Sequence, residues 1–497
     1  MAREEEIRKE RLRKLKELER LGINPYPYKY EQKNLASEIH QKYKSIKPEE
    51  KSKERVKVAG RLLSIRRHGK INFAHLQDRS GKIQVIFEES TLGKEKLKFF
   101  QNFIDAGDII GCEGIVMRTK KGELSVLVKN FILLSKSIRA LPEKWHGLKD
   151  PELRYRHRCL DLIMNPNVRD IFKKKALILK TIRNFLDERG FIEVDTPALQ
   201  LVYGGAAAKP FKTFLNALKQ EMFLRISDEL YLKRLIVGGL GKVYEICKDF
   251  RNESIDRLHH PEFLQVELYE AYSDYNDMMK LFESLMKTLA KTLYGTTKIT
   301  YQGNKIDFGK WKHLTVIDAI KKYANINVNV SREELVPLID KHNLEIPKTA
   351  SWGTIVNELF ESLVADKIME PTLILDYPLE STPLCKPHRK DKRLVERFEG
   401  VCCGIEVCNA YSELNDPILQ RKLLEEQVKK RKQLKEVWAE SIDEDFLFAL
   451  EHGMPPLGGL GIGIDRITMI LTDQPSIREV IPFPLKRPKA REKKLKS

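Results

Sequence analysis

The sequence predicts an α+β protein: a small β-barrel followed by a larger domain that mixes helices and strands. Three observations carry that reading. Between Val56 and Lys136, five short runs rich in Val, Ile and Phe are separated by Gly, Asp and Ser turns, the pattern of successive short strands. In the later part of the chain, runs with helical periodicity alternate with polar strands. At 497 residues the chain is too long for one ordinary core, so two or three domains are expected.

Bulk properties narrow the function classes. A hydrophobic content of 42% supports globular folding rather than wholesale disorder. The formal charge of +18 points to a polyanion as partner. The seven cysteines are odd in number and irregular in spacing, which gives neither a disulfide framework nor a zinc pattern. Cys402, Cys403 and Cys408 read as small core residues in a strand pair. No apolar run approaches the roughly 20 residues of a membrane span. The charged, acid-containing start, MAREEEIRKERLRKLKELERLG, is unlike a signal or transit peptide. No membrane association and a cytoplasmic location are expected.

Taken in order, residues 1–54 hold a charged helix that closes at Gly22, with Pro25 and Pro27 beyond it. Its charges alternate in sign, as on a solvated helix. Residues 55–137 carry the five strand runs, with a helical stretch near Leu92–Ala106 before the fourth. That arrangement suggests an OB-type barrel, a fold that binds single-stranded nucleic acid with basic strands and stacking aromatics. Arg66, Arg67, His68 and Lys70 lie beside Phe73 and His75, which fits such a surface. Residues 138–164, with Pro142, Trp145, Pro151 and the basic run RYRHR, read as a linker. After Asn165-Pro166, Val168, Ile171, Phe172, Leu179, Ile182 and Leu186 fall on one face of a 3.6-residue period. Gly190 closes this helix, and FIEVDTPAL follows as a strand. A further helix runs from Asn276 to about Leu293, while residues 300–365 show no recognisable chemistry. Strands return at LILDYP and ERFEGVCCGIEVCNAYSEL, followed by a charged helix from Pro417 to Val437. The basic tail, 489–497, reads as a disordered, solvated end.

Two segments concentrate chemistry. From Glu245 to Tyr272, EICKDFRNESIDRLHHPEFLQVELYEAY places Arg251 and Glu253 two apart. His259, His260, Glu262 and Phe263 follow a polar turn, and Glu267 and Tyr269 are again two apart. Side chains two apart on a strand share a face. A face with a guanidinium, carboxylates and rings suits a polar substrate carrying both signs of charge. The second segment, GLGIGIDR, combines Gly459, Gly461 and Gly463 with Arg466 at the start of a helix. The glycines admit a flat ligand, and the arginine has a fixed origin for reaching a phosphate.

FRNE, a loop and then PEF resemble motif 2 of the class II aminoacyl-tRNA synthetases, over about 245–272. GLGIGIDR resembles their motif 3, about 457–475, and the helix, strand and Thr196-Pro197 resemble motif 1, about 168–197. ELYEAYSDY, from Glu267 to Tyr275, looks like the lysyl type. The resemblance spans nearly the whole chain. It implies a catalytic domain over 165–488, a mostly antiparallel sheet flanked by helices, with a possible helical insertion about 300–365 and a homodimer. It also implies a two-step reaction in which L-lysine and ATP give lysyl-adenylate, and tRNA(Lys) then takes the lysyl group. Arg251 would bridge the lysine carboxylate and the α-phosphate, Glu253 would accept from adenine, and Phe263 would stack on it. His259 and Arg466 would hold the phosphate tail, and Arg251 and Arg466 are the expected catalytic residues. Glu399 and Glu406 match the carboxylates that hold Mg2+, in unspecified number, with Glu399 also in the ATP site. Glu413 and Tyr269 would face the ε-ammonium, with Glu267 nearby. Glu229 and Gly204 would hold the α-amino group and Asn409 the carboxylate. Asn409, Tyr411 and Glu413 share parity, so one strand face would carry all three. In the barrel, Arg66, Phe73, Gln84 and Glu123 match anticodon-binding positions, by stacking and contacts to base edges.

The chain departs from the family pattern at several places. Tyr203 replaces a proline, Ser227-Asp228 an Ala-Pro pair, Ser254 a glycine, Leu258 an arginine, His260 an asparagine and Leu264 a threonine. Arg257 is a candidate replacement for the arginine lost at 258. Asp228 is expected to raise the pKa of Glu229 or to bind an extra cation. Two rival readings are a lysyl transferase acting on protein and a catalytically silent RNA-binding relative. The barrel argues against the first, and intact Arg251, Arg466, Glu399 and Glu406 against the second.

Overall fold

The computed structural model describes residues 2–142, 148, 150–433 and 442–486. Trp145, residues 434–437 of the charged helix and the basic tail over 489–497 lie outside them. The chain divides into two compact units, Met1–Lys149 and Asp150–Ser497.

The first unit is a closed five-stranded barrel of Lys51–His68, Ile71–Gln77, Lys82–Glu88, Ile109–Arg118 and Leu124–Ser135. Only the pairing of Lys82–Glu88 with Leu124–Ser135 is parallel. Helices Glu89–Leu92 and Lys94–Phe103 stand before the fourth strand, where the sequence places a helical stretch. Phe100 from the second stacks on Phe87 with ring centres 3.8 Å apart. Along Ile71–Gln77, Asn72, Ala74 and Leu76 are buried while Phe73 and His75 stay half-exposed on the other face, the alternation of a strand with one dry side. The helix Ala2–Arg20 differs from the solvated helix expected. Leu18 enters the barrel core, Lys14 pairs with Asp105, and Arg11 donates to the carbonyls of Ala106, Ser137 and Arg139. Alternating charge on this helix conceals three anchors.

The second unit is built on an eight-stranded sheet. Its order is Lys312–Thr315, Thr372–Pro378, Leu394–Cys402, Ile405–Ser412, Leu457–Gly463, Glu262–Ala271, Lys242–Phe250 and Ile192–Glu193. The two outermost pairings are parallel and the rest antiparallel. Helices Pro166–Asp187 and Tyr275–Tyr294 bury their apolar faces in the core shared with the central strands. Val168, Ile171, Ile182 and Leu186 are buried, as their spacing predicts. Asp274 caps the second helix, and Gly295 ends it in the left-handed conformation. Cys403 and Gly404 both have positive φ, 54° and 68°, and form the two-residue turn that joins Leu394–Cys402 to Ile405–Ser412. Cys402 and Cys408 sit in the core, and all seven cysteines are free. Among the described residues no helix is long and apolar enough to cross a membrane.

Three sequence expectations are corrected here. FIEVDTPAL is not one strand: it is extended in the sheet at Ile192–Glu193, breaks, and enters a separate short strand, Leu199–Gln200, at its last residue. Between the two Thr196 turns aside, and its N–H and hydroxyl donate to the Glu245 carboxylate at 3.1 and 2.7 Å. The linker expected up to residue 164 is helical over Pro151–Arg156 and Arg158–Met164. Its cause is Arg158, fully buried, which donates to Asp161 at 2.7 Å and to the carbonyls of Arg478 and Pro482 at 2.8 and 2.9 Å. Residues 300–365 are not purely helical. They supply the edge strand Lys312–Thr315 and part of a hairpin, Lys298–Tyr301 with Asn304–Asp307. Helices Val316–Ala324, Arg332–Lys341 and Trp352–Leu363 follow, around a core they share with the strands Thr372–Pro378 and Leu394–Cys402.

Candidate active site

Sheet register sets the site. Across five strands it aligns Glu399, Asn409, Gly461, Glu267 and Glu245 in one row, and Arg397, Tyr411, Gly459, Tyr269 and Val243 in the next. The rows are two residues apart along each strand, so both present side chains to the same face. That face has charge towards both sides and glycine in the middle. It floors a cavity of about 460 Å³, and every second-unit site residue expected from the sequence lines it. The glycines differ in their reasons. A Cβ at Gly459 would stand 2.0 Å from a Glu413 oxygen, so packing requires glycine there. At Gly461 and Gly463 a Cβ would meet nothing closer than 3.6 and 3.7 Å. Protein packing does not demand glycine at these two, and the space above them is left for a ligand.

One end of the cavity is organised by arginines. The Arg251 guanidinium lies 5.0 Å from the centre of the Phe263 ring, and its Nε donates to the Ile226 carbonyl at 3.3 Å. Arg466 donates to Glu406 at 2.8 Å and sits 3.1 Å from His259 Nε2. His259 Nδ1 lies 2.7 Å from Asp256. The bonds fit one tautomer, with Nδ1–H donating to Asp256 and Nε2 accepting from Arg466. This chain ties the polar turn of 251–262 to the helix Ile464–Leu471. Glu399 accepts from Tyr377 Oη at 2.8 Å and from Arg397. Glu253 stands exposed at the rim.

The other end is acidic. Glu267 accepts from Ser227 Oγ at 3.0 Å, Gln265 Nε2 at 2.7 Å and Tyr269 Oη at 3.1 Å. Glu229 and Glu413 are buried beside it. Burial pushes the Glu413 carboxyl up to about 8; Lys233 opposes that rise, and Glu229 adds to it. Asn409 accepts from Arg397 Nε at 3.0 Å and donates to Tyr411 Oη at 2.7 Å. Gly204 faces Leu230, whose Cδ1 would be 2.6 Å from a Cβ there. Glu413 lies just past the strand Ile405–Ser412, yet it keeps the parity of Asn409 and Tyr411 and lines the same cavity.

Sequence reasoning missed Lys233 and Arg397. Lys233 lies four residues after Glu229 in a helix, a spacing that ordinarily marks a surface ion pair. Arg397 shares parity with Glu399, which was the available signal. The departures are absorbed in different ways. Tyr203 packs on Phe223 with ring centres 4.9 Å apart. His260 Nδ1 donates to the Glu262 carbonyl at 2.5 Å, and its Nε2 accepts from the Leu485 N–H at 3.0 Å. Leu258 packs against the core, and Arg257 does not line the cavity among the described residues. Asp228 is fully buried behind the wall, near Asp249 and Glu267, and neither of its oxygens has a hydrogen-bond partner. Of the two expectations for Asp228, the first is not met, since burial and Glu267 raise the Glu229 carboxyl and Lys233 opposes them; the second keeps a geometric basis, with oxygens of Asp228, Asp249 and Glu267 within 4.8 Å of one another.

In the barrel, Gln84 Nε2 donates to Glu123 at 2.7 Å, His75 lies 2.9 Å from the same carboxylate, and Gln84 accepts from Ser125 at 2.8 Å. Arg66 and Phe73 face each other in register on neighbouring strands. The structure therefore groups the four barrel residues singled out from the sequence into two pairs.

Comparison with known proteins agrees with this geometry. Residues 150–487 match the family model described as tRNA synthetases class II (D, K and N). Residues 56–134 match the OB-fold nucleic acid binding domain. A lysine–tRNA ligase of Clostridium botulinum (strain Loch Maree / Type A3) is 50% identical over 490 residues, 97% of this chain and 96% of its own. A lysine–tRNA ligase of Clostridium perfringens (strain ATCC 13124) is 50% identical over 485 residues, 96% of this chain and 95% of its own. With the matched family model covering the whole glycine-floored cavity and the barrel matched separately, the chain belongs to the class II tRNA synthetases.

Proposed function

We propose that the chain is a cytoplasmic lysine–tRNA ligase acting as a homodimer. It activates L-lysine with ATP and passes the lysyl group to the 3'-terminal adenosine of tRNA(Lys). The observation that carries this reading is the division of one cavity into an arginine end and an acidic end, with a glycine floor between them. An ε-ammonium is a compact cation with three donors, and Glu229, Glu267, Glu413 and Tyr269 supply acceptors for lysine's two ammonium groups. An aspartyl enzyme would need a cationic pocket in the same place.

In the first step a lysine carboxylate oxygen attacks the α-phosphorus of ATP, the bond to the bridging oxygen breaks, and pyrophosphate leaves. This displacement needs alignment and charge neutralisation rather than a protein nucleophile. Arg251 bridges the attacking carboxylate and the α-phosphate. Phe263 stacks on adenine, Glu253 accepts from its amino group, and His259 and Arg466 hold the phosphate tail. Gly204 and Glu229 hold the α-ammonium and Asn409 the carboxylate, with Tyr411 supporting Asn409. In the second step the terminal ribose hydroxyl attacks the lysyl carbonyl and AMP leaves. Glu399 and Glu406 line the cavity together, an oxygen donor set of the kind Mg2+ takes alongside substrate phosphates. When bound there, the ion would offset phosphate charge. In the barrel, Phe73 stacks on an anticodon base, Gln84 and Glu123 read base edges, and Arg66 meets the backbone. The homodimer is supported by exposed apolar side chains between Leu177 and Leu218, among them Leu199, Leu201 and Phe214.

Isotopic ATP–pyrophosphate exchange with a panel of amino acids tests the reading. Exchange dependent on lysine, followed by charging of a tRNA(Lys) transcript, is expected. Exchange driven by aspartate or asparagine and not by lysine would overturn it.

A further inference from the structure

Those roles leave the buried cation at the acidic end, Lys233, without a task. Lys233 stands one turn after Glu229 on the helix Glu229–Val237, and its side chain is fully buried. Its ammonium lies 2.5 Å from Glu229 Oε1 and 2.5 Å from Glu413 Oε2, and 5.8 Å from the centre of the Tyr269 ring. Glu229, Tyr269 and Glu413 line the cavity, and Lys233 does not. It therefore meets both carboxylates from behind the wall. It engages one oxygen of each acid.

Resting on the lysine–tRNA ligase reading, we propose that Lys233 is a positioning residue that sets how much positive charge the amino-acid pocket accepts. With lysine bound and all three acids ionised, Glu229, Glu267 and Glu413 bring three negative charges to this end, and Lys233 cancels one of them. The remaining two match the α- and ε-ammonium groups of free lysine, whose carboxylate goes to Arg251. The same contacts hold Glu229 and Glu413 in place. Without the cation between them, the two buried acids would repel, and a proton held by one of them would be harder for the incoming ammonium to displace. A protonated carboxyl then presents a donor where an ammonium needs an acceptor.

This role differs from that of a packing strut, and two variants separate the two. Lys233→Met keeps the shape and removes the charge. Lys233→Ala opens space that propylammonium, or its neutral analogue propanol, can fill. In ATP–pyrophosphate exchange, Lys233→Met should raise the lysine KM about thirtyfold or more, the scale of breaking a buried pair, while kcat and the ATP KM stay within about threefold. Propylammonium should recover more than about fivefold of the lysine KM lost in Lys233→Ala, and propanol should not. A lysine KM for Lys233→Met within about twofold of wild type overturns the proposal, and so does rescue by propanol equal to that by propylammonium. If Lys233→Met does not fold, the comparison of additives on Lys233→Ala decides. Wild-type protein with no lysine-dependent exchange overturns the ligase reading itself; lysine-dependent wild type with an unchanged variant overturns only the role of Lys233.

Discussion

At the arginine end of the cavity the groups placed for the phosphate tail remain open to water, with His259 51% exposed, Glu406 43% and Arg466 21%, while Glu399 lies buried beneath them. At the acidic end Glu229 is 6% exposed, Glu413 1% and Lys233 not at all. The first set can exchange partners as a polyphosphate arrives, because water stabilises each group between partners. The second set cannot, because a buried charge left unpaired costs several kcal/mol. The contrast teaches where selectivity resides. ATP needs charge and reach, which long exposed side chains supply. Choosing one amino acid needs acceptors that penalise a ligand lacking the matching donors.

The contrast can be broken from either side. The largest effect is expected at Arg251, where Arg251→Ala should lower exchange by about a thousandfold, with protein of unchanged melting temperature. A loss below about tenfold would remove Arg251 from the reaction centre. Next comes Glu413→Gln, expected to raise the lysine KM about a hundredfold while the ATP KM holds. Equal effects on both substrates would show that the two ends are not separate. A pH series sharpens the same point. Glu413 is held up to about 8 by burial, so the empty pocket carries it protonated at neutral pH. Lysine binding requires the ionised form, so the lysine KM should fall roughly tenfold between about pH 7 and 8.5 and be flat in Glu413→Gln. A wild-type KM that rises over this range would reverse the sign and refute the assignment. The smallest effect is at the floor: Gly461→Ala should fold normally and raise the ATP KM about fivefold, by filling space kept for ligand. An unchanged KM would mean that this space is not used.

Strand parity and glycine spacing made much of this legible beforehand. Phe263, Glu267 and Tyr269 lie on one strand, and alternation alone puts them on the same side, with Arg251 one residue past the end of the paired strand Lys242–Phe250. Lys233 was hidden because an i, i+4 acid–base pair on a helix has the same spacing whether wet or buried. Arg397 was hidden because a polar strand does not announce which of its charges is sealed. The edge strand Lys312–Thr315 pairs with Thr372–Pro378 across about sixty residues, a contact that no local pattern encodes. The helices within 151–164 depend on Arg158 reaching carbonyls more than 300 positions later, which is equally invisible from their own sequence.

The bond between His260 and Leu485 has a consequence in time. The ring that orders the turn beside Phe263 is synthesised 225 residues before the amide that pins it. During synthesis, domains assemble as units from the N-terminal side, so the barrel can be complete while this turn still lacks its last tether. A ribosome-bound chain can therefore hold the glycine floor and both groups of charges before the turn between them is secured. The completed site requires the chain up to Leu485, and chains that stop short of it are born without that latch.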